Sequence, residues 1–218
     1  MQPHHQHNDQ TRQRILEAAE RLFARKDFSA VTVREITAAA NCNLGAVNYH
    51  FGSKKNLYLE VFRRRWVPRA QRISARLEEL ARRRPPASPE EVVRTLCRAF
   101  FGSFQSEEEA RLHHRLLGRE LGNPSGAFDL VLKEAIRPTI ELLVILLEPF
   151  LPHSGDRQRL LLDIFSVLGQ VIYFNMARLP ISRVVGQGYD SEFVERLIEH
   201  LTHFSLYGLL GRPREETR

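Results

Sequence analysis

Asn48, Tyr49 and His50 stand side by side, and Lys54 and Lys55 follow within five residues. Together they offer an amide, a phenol, an imidazole and two ammonium groups. Such groups hydrogen-bond base edges and neutralise phosphates, so their chemistry is that of nucleic-acid contact. They belong to the stretch VTVREITAAANCNLGAVNYHFGSKKNL at 31–57. Its pattern is two short helices separated by a polar break, a helix-turn-helix whose second helix lies in a DNA groove. Asn48 can bond a base edge or a phosphate. Tyr49 can meet a phosphate or pack on sugar and thymine methyl. His50 and Lys54 lie at the helix end, where phosphate contacts set register. Thr32 offers its hydroxyl and a helix N-terminus to a phosphate, and Arg34, one turn in, reaches a phosphate or a base. Asn43 and Leu44 lead into the second helix. Gly45 and Ala46 keep that helix thin enough to approach a groove floor. The bland alternative packs Tyr49 and His50 against the next helix and leaves Lys54 and Lys55 as a solvated face.

Those side chains need a frame, and the local signals supply one. Residues 1–10 are almost devoid of apolar side chains and read as a disordered tail, in which His4, His5 and His7 can hold a metal ion only loosely. A first helix over about 11–26 carries Ile15, Ala18, Ala19, Leu22 and Phe23 on one face. Thr32 and Glu35 form a capping box for the second. Asn41 ends it, because asparagine tolerates the left-handed conformation. Asn43 caps a third helix running to about His50. Phe23, Phe28, Val31, Ile36, Val47 and Phe51 are the expected small core. Ser53 caps a fourth helix reaching about Arg84, where RRRPPASP breaks the pattern.

The remainder is also helical. Ser88, Pro89 and Glu91 open a helix with a second capping box, and Ser106 with Glu109 opens another that ends near Gly122. Asn123-Pro124 reopens helix and Pro138 kinks or splits it. Helices over about 155–179 and 190–211 finish the chain, joined by the breaker-rich LPISRVVGQGYD. The expected fold is therefore all-α, with a disordered tail at 1–10, a helix-turn-helix domain at 11–52 and a helical domain at 53–212.

Composition narrows the function. Residues 1–84 carry 17 Lys+Arg against 8 Asp+Glu, whereas 85–218 carry 15 against 18. The basic surplus is thus confined to the part with the helix-turn-helix, as a DNA-facing end requires. Cys42 and Cys97 are far apart, with no partner at metal spacing, which fits a reducing cytoplasm and neither a disulfide framework nor a metal site. No secretory signal pattern opens the chain, and apolar runs such as LLVILL at 142–147 are too short to span a bilayer. Nucleophile-elbow, P-loop, H-E-x-x-H and paired-cysteine motifs are missing, and His113-His114 is the only ionisable cluster of note. The chain reads as no enzyme, with no cofactor and no membrane partner.

With these residues in place, 11–57 resemble the DNA-binding domain of the TetR family of bacterial transcriptional regulators. The segments ILEAAERLFA, TVREIT and VNYHFGSKKNLY carry the likeness. NLGAVNYHFGSK together with RELGNPSGAFDLVLKEAIRP is similar to the CecR-type subfamily. Asp27 stands where the family often has Gly, Asn41 where Gly is usual, and Asn48 where Tyr is frequent. The resemblance implies a cytoplasmic homodimer that binds a palindromic double-stranded DNA operator, acts as a repressor, and is released by a small-molecule effector.

Leu161, Ile164, Phe165, Leu168 and Ile172, then Val194, Leu197, Ile198 and Leu201, give the last two helices broad apolar faces suited to a four-helix interface. Trp66, Phe100, Phe104, Phe128 and Tyr173 are candidate apolar walls of an effector pocket. His113, Arg119, Glu120, Arg137 and Asn175 are its candidate polar anchors. That mixture points to a lipophilic or amphipathic effector. Arg119 and Glu120 can equally form a structural ion pair. The competing reading is a DNA-binding adaptor controlled by a protein partner, with no small-molecule effector.

Overall fold

The computed structural model describes residues 3–102, 106–151 and 156–211, with the backbone alone at 3–7 and 107. Eleven α-helices form among the described residues: α1 (Pro3–Arg25), α2 (Val33–Ala39), α3 (Ala46–Phe51), α4 (Lys54–Ala81), α5 (Pro89–Phe101), α6 (Glu107–Gly122), α7 (Gly126–Val131), α8 (Arg137–Leu147), α9 (Arg157–Met176), α10 (Arg178–Val185) and α11 (Ser191–Leu210). No strand occurs among them. Helix α1 starts at Pro3, inside the stretch that composition assigns to a tail. Once the apolar face from Ile15 onward is docked, adding turns at the N-terminal end avoids a fresh nucleation cost. The side chains of His4, His5 and His7 lie outside the described residues.

The helices sort into two compact units, one of Met1–Pro68 with Phe104–Ala135 and one of Arg69–Ser103 with Ile136–Arg218. The partition differs from the expected boundary at residue 52, because α6 and α7 belong with the helix-turn-helix head. An apolar helix face is visible in a sequence, but the identity of the helix that covers it is not.

In the first unit, Ile15, Ala19, Phe23, Val31, Ile36, Val47, Leu57, Phe62 and Leu116 are at most 1% exposed. Phe28 was expected in this core and lies at its edge instead. It stacks on Phe23 (centroids 5.9 Å apart) and meets Tyr58 at a tilt (5.0 Å), with the Lys54 ammonium 4.3 Å from its ring. Phe51 is half-buried under the Arg12 guanidinium.

In the second unit, the later part of α4 with α5, α8, α9 and α11 shares a core that includes Leu77, Leu96, Leu143, Leu147, Ile164, Val171, Ile198 and Leu201. Arg94 to Glu199 (2.6 Å) and Arg98 to Glu195 (3.0 Å) tie α5 to α11 along its rim. Pro138, in the first turn of α8, follows a π-helical turn at Leu132–Ile136, so the expected split falls there. The breaker-rich connector is partly helical. α10 occupies its first half, with Pro180 in the opening turn and Gly186 (φ 75°) as the left-handed stop.

Candidate nucleic-acid interface

The head is assembled from local signals that act at short range. The Thr32 Oγ1 accepts from the Glu35 N–H (3.1 Å), and the Thr32 N–H donates to the Glu35 carboxylate (2.8 Å), closing the capping box of α2. Asn41 adopts φ 49° and turns the chain out of α2. Helix α3 begins later than expected. Gly45 occupies its N-cap and Asn43 is one turn earlier, its carbonyl accepting from the Ala46 N–H (3.1 Å). Gly52 at φ 74° ends α3, and Ser53 Oγ accepts from the Asn56 N–H to start α4. Only a residue without a Cβ turns at Gly52 without strain.

One face of α3 is anchored and the other is open. Val47 is fully buried and Ala46 only 6% exposed, so Ala46 packs inward and does not face a groove as expected. Asn43, Leu44, Gly45 and Asn48 are exposed, and Tyr49 is 76% exposed with its ring edge-on to His50. Arg34 is exposed on α2. His50 is half-buried; burial and the charge of Arg12 hold its imidazolium below the usual range, while Asp9 opposes this. Thr32 Oγ1 already lies 2.9 Å from the Glu35 carboxylate, so its hydroxyl serves the cap first.

Lys54 has a different role from the one its sequence position suggests. Its Nζ donates to the carbonyls of Phe28 and Val31, both at 2.8 Å, and so pins the loop before α2 to the start of α4. Arg12 and Arg14, on α1, were not singled out from sequence. Arg12 lies over Phe51 and acts on the His50 charge, and Arg14 acts on Cys42 in the turn. The basic surplus of 1–84 was the only signal pointing to them.

The candidate effector residues divide between the two units. In the first, Trp66 stacks on His113 (4.2 Å) and on Phe62 (4.6 Å), both Trp66 and His113 being buried. Glu120 is 3% exposed and accepts from Tyr58 Oη (2.6 Å), Ser125 N and Oγ (both 2.9 Å) and Phe128 N (3.1 Å). Arg119 pairs with Asp27, so Arg119 and Glu120 are not partners of each other. Phe128 is half-buried at the first turn of α7.

In the second unit, Phe100 lies under the Arg69 guanidinium (5.3 Å). Asn175 is buried and accepts from Arg178 (3.1 Å), holding the corner between α9 and α10. Arg137 is exposed and Tyr173 is 60% exposed, so neither lines a buried pocket in this chain. Phe104 lies outside the described residues.

Comparison with known proteins decides what this head belongs to. Residues 15–61 match the family described as bacterial regulatory proteins, tetR family. Residues 89–209, more than half of the chain, match the C-terminal domain of the HTH-type transcriptional dual regulator CecR. The chain belongs to the TetR family, CecR type. The dual regulator CecR of Shigella flexneri is 25% identical over 202 residues, 89% of each chain. The regulator AcrR of the same organism is 33% identical over 107 residues, 49% of this chain and 47% of its own. Among solved structures, a TetR-family transcriptional regulator of Mesorhizobium loti shares the fold at TM-score 0.62 and 17% identity, over 92% of this chain and 97% of its own. As in the rest of the TetR family, the helix-turn-helix is a DNA-binding element, and the chain is a transcriptional regulator.

The α2 cap of this TetR head carries a pH signature. Hydrogen bonds from Lys26 and from the Thr32 backbone and hydroxyl hold the Glu35 carboxyl at about 2, against an ordinary 4.5. A depressed folded pKa stabilises the fold above the unfolded value, and that contribution is lost as pH falls from about 4.5 towards 2. Thermal unfolding followed by circular dichroism at stepped pH is expected to show a shallower loss of stability for Glu35→Gln than for the parent across that window. Parallel curves would refute the assignment.

Proposed function

We propose that the chain is a dimeric repressor that places α3 of each copy in successive major grooves of a twofold-symmetric operator and leaves it when a small effector binds. The observation that carries the DNA reading is the two-sidedness of α3: Val47 and Ala46 lock one face into the head while Asn48 and Tyr49 project from the other. Arg34, Asn43, Leu44 and Gly45 extend that outer face, His50 adds an imidazole at its end, and Arg14 adds charge beside it, Arg12 being paired with Glu60 (2.6 Å). In this proposal Thr32 and Lys54 position the head and contribute to phosphate contact only with donors their structural bonds leave over. Such a protein works where the chromosome is, in the bacterial cytoplasm.

Dimerisation is supported by α9 and α11. Leu162, Phe165, Tyr173 and Met176 follow the helical period along α9, and Phe204, Tyr207 and Leu210 are exposed on α11. Helix α9 is long and apolar enough to cross a membrane, yet only 33% of its apolar window is buried within the chain. It packs against α5, α8 and α11, and a second copy is the proposed cover for what remains.

The test is a selection from random DNA with the full chain. The expected consensus has dyad symmetry, with half-site centres about 34–36 Å apart or a multiple of that. Asn48→Ala and Tyr49→Ala are each expected to weaken binding about tenfold or more, in line with about 1–3 kcal/mol for a good base contact. A consensus without a dyad, or full affinity in both variants, would overturn the proposal.

A further inference from the structure

An open groove of about 480 Å³ lies between the end of α1 and the middle of α6, lined by Ala24, Arg25, His114, Arg115, Gly118 and Arg119. That volume falls within the range of about 300–1,000 Å³ found for small-molecule sites. Its lining opposes the lipophilic effector expected from sequence: three guanidiniums and an imidazole face it. A Cβ at Gly118, which is among the lining residues, would stand in open space. Arg25 and Arg115 have no ion-pair partner among the described residues. Arg25 in the last turn of α1 complements the helix dipole, but that explanation does not extend to Arg115 in the interior of α6. Arg25 and Arg115 are exposed, so both guanidiniums are open to an anion from solvent.

We propose that this groove binds a small diphosphate-bearing anion, and that the ligand draws Arg119 away from Asp27. Arginine forks match phosphate oxygens in bidentate geometry. The exchange is available because Asp27 is 77% exposed and so hydrates readily when released. It is consequential because Asp27 lies in the loop that leads to α2. The Asp27 carbonyl accepts from Ala30 N (3.0 Å) and Val31 N (3.2 Å), Lys54 holds the carbonyls of Phe28 and Val31, and Lys26 pairs with Glu35 in the α2 cap. An anion that removes Arg119 from this loop loosens the mount of the helix-turn-helix. The binding site stands on its own geometry; the regulatory consequence rests on the proposed operator binding.

Pyrophosphate is the probe, titrated calorimetrically into the full-length chain at constant ionic strength set with sodium chloride. Saturable binding of one pyrophosphate per chain is expected. Arg25→Gln/Arg115→Gln is expected to weaken it about a hundredfold, roughly tenfold for each lost charge-assisted contact. Arg76→Gln, an exposed arginine on α4 outside the groove, is expected to leave it within about twofold. Asp27→Asn removes the competing carboxylate and is expected to tighten binding several-fold. Non-saturating heats, or equal affinity in the double variant and Arg76→Gln, would overturn the site, and unchanged affinity in Asp27→Asn would overturn the exchange.

In a second arm, pyrophosphate is expected to weaken operator binding by the parent chain and not by the double variant. Loss of operator affinity in the double variant without pyrophosphate would instead make the groove a contact to DNA phosphate and overturn the proposal. Failure to select any operator would sink the operator reading and leave the calorimetric arm to decide the site.

Discussion

In the proposed dimer, Phe165→Glu is expected to separate the two copies and to weaken operator binding by more than a hundredfold. Phe165 is 51% exposed on the same row of α9 as Leu162 and Tyr173, with the open backbone of Gly169 between them. In a twofold interface each side chain counts twice. Burying a whole phenylalanine contributes about 1.5–3 kcal/mol, so covering the exposed half contributes about 0.7–1.5 per copy and about 1.5–3 for the pair. A micromolar dimer amounts to about 8 kcal/mol in all. Glutamate removes that contribution and asks two carboxylates to lose water, which costs more again. The fold of the single chain is expected to survive, because the ring is half in solvent already. A monomer retains one DNA-reading head and loses the second half-site. Sedimentation equilibrium with circular dichroism checks the first part and operator titration the second. A Phe165→Glu chain that stays dimeric would place the interface on another surface.

Glu120→Ala is expected to lower stability by about 3 kcal/mol or more, which for a chain of this size lowers the melting temperature by roughly 6–12 °C. The carboxylate is buried and receives hydrogen bonds from Tyr58, from Ser125 and from the Phe128 N–H. It thereby ties α4 to α6 and caps the start of α7. Removing it leaves the buried Tyr58 hydroxyl and the part-buried donors of Ser125 and Phe128 without this acceptor, at a cost of about 1–3 kcal/mol for a buried donor and less for the others. Tyr58→Phe removes a single donor and is expected to cost about 1 kcal/mol, and Glu120→Gln, which keeps one acceptor oxygen, falls between. Differential scanning calorimetry separates the three. Equal melting temperatures for Glu120→Ala and Tyr58→Phe would show that the carboxylate does not hold this corner. The sequence placed Glu120 among effector contacts. Its neighbours make it a structural hub, and a loss of effector response in Glu120→Ala would follow from that role.

What was legible in the chain is what acts over a few residues. Thr32 with Glu35, and Ser88 with Glu91, are capping boxes across three residues, and both form as expected. Asn41 turns left-handed because its own side chain tolerates that conformation, not because of any distant contact. Apolar periodicity along α9 and α11 showed greasy faces, but the face expected at a dimer interface is mostly the chain's own core: Ile164, Leu168, Leu197, Ile198 and Leu201 are buried in it, Leu161, Ile172 and Val194 pack against it, and Phe165 alone of those residues is exposed. Periodicity failed where it had to name a partner: Ala46 was given to the groove and lies inside, and Phe28 was given to the core and lies at its edge.

Sequence alone therefore determined that this chain is helical, where most helices begin, and that residues 31–57 form a DNA-reading head, because caps, turns and helix periods are local physics. Only the tertiary structure decided what the polar side chains do. Lys54 reaches 23 residues back to the Val31 carbonyl, Tyr58 meets Glu120 across 62 residues, and Arg119 meets Asp27 across 92. Each of these pairings is one choice among many for a charged or hydroxylated side chain. The choice is made by which helices pack together, and that packing moved α6 and α7 to the head and left a basic groove between α1 and α6.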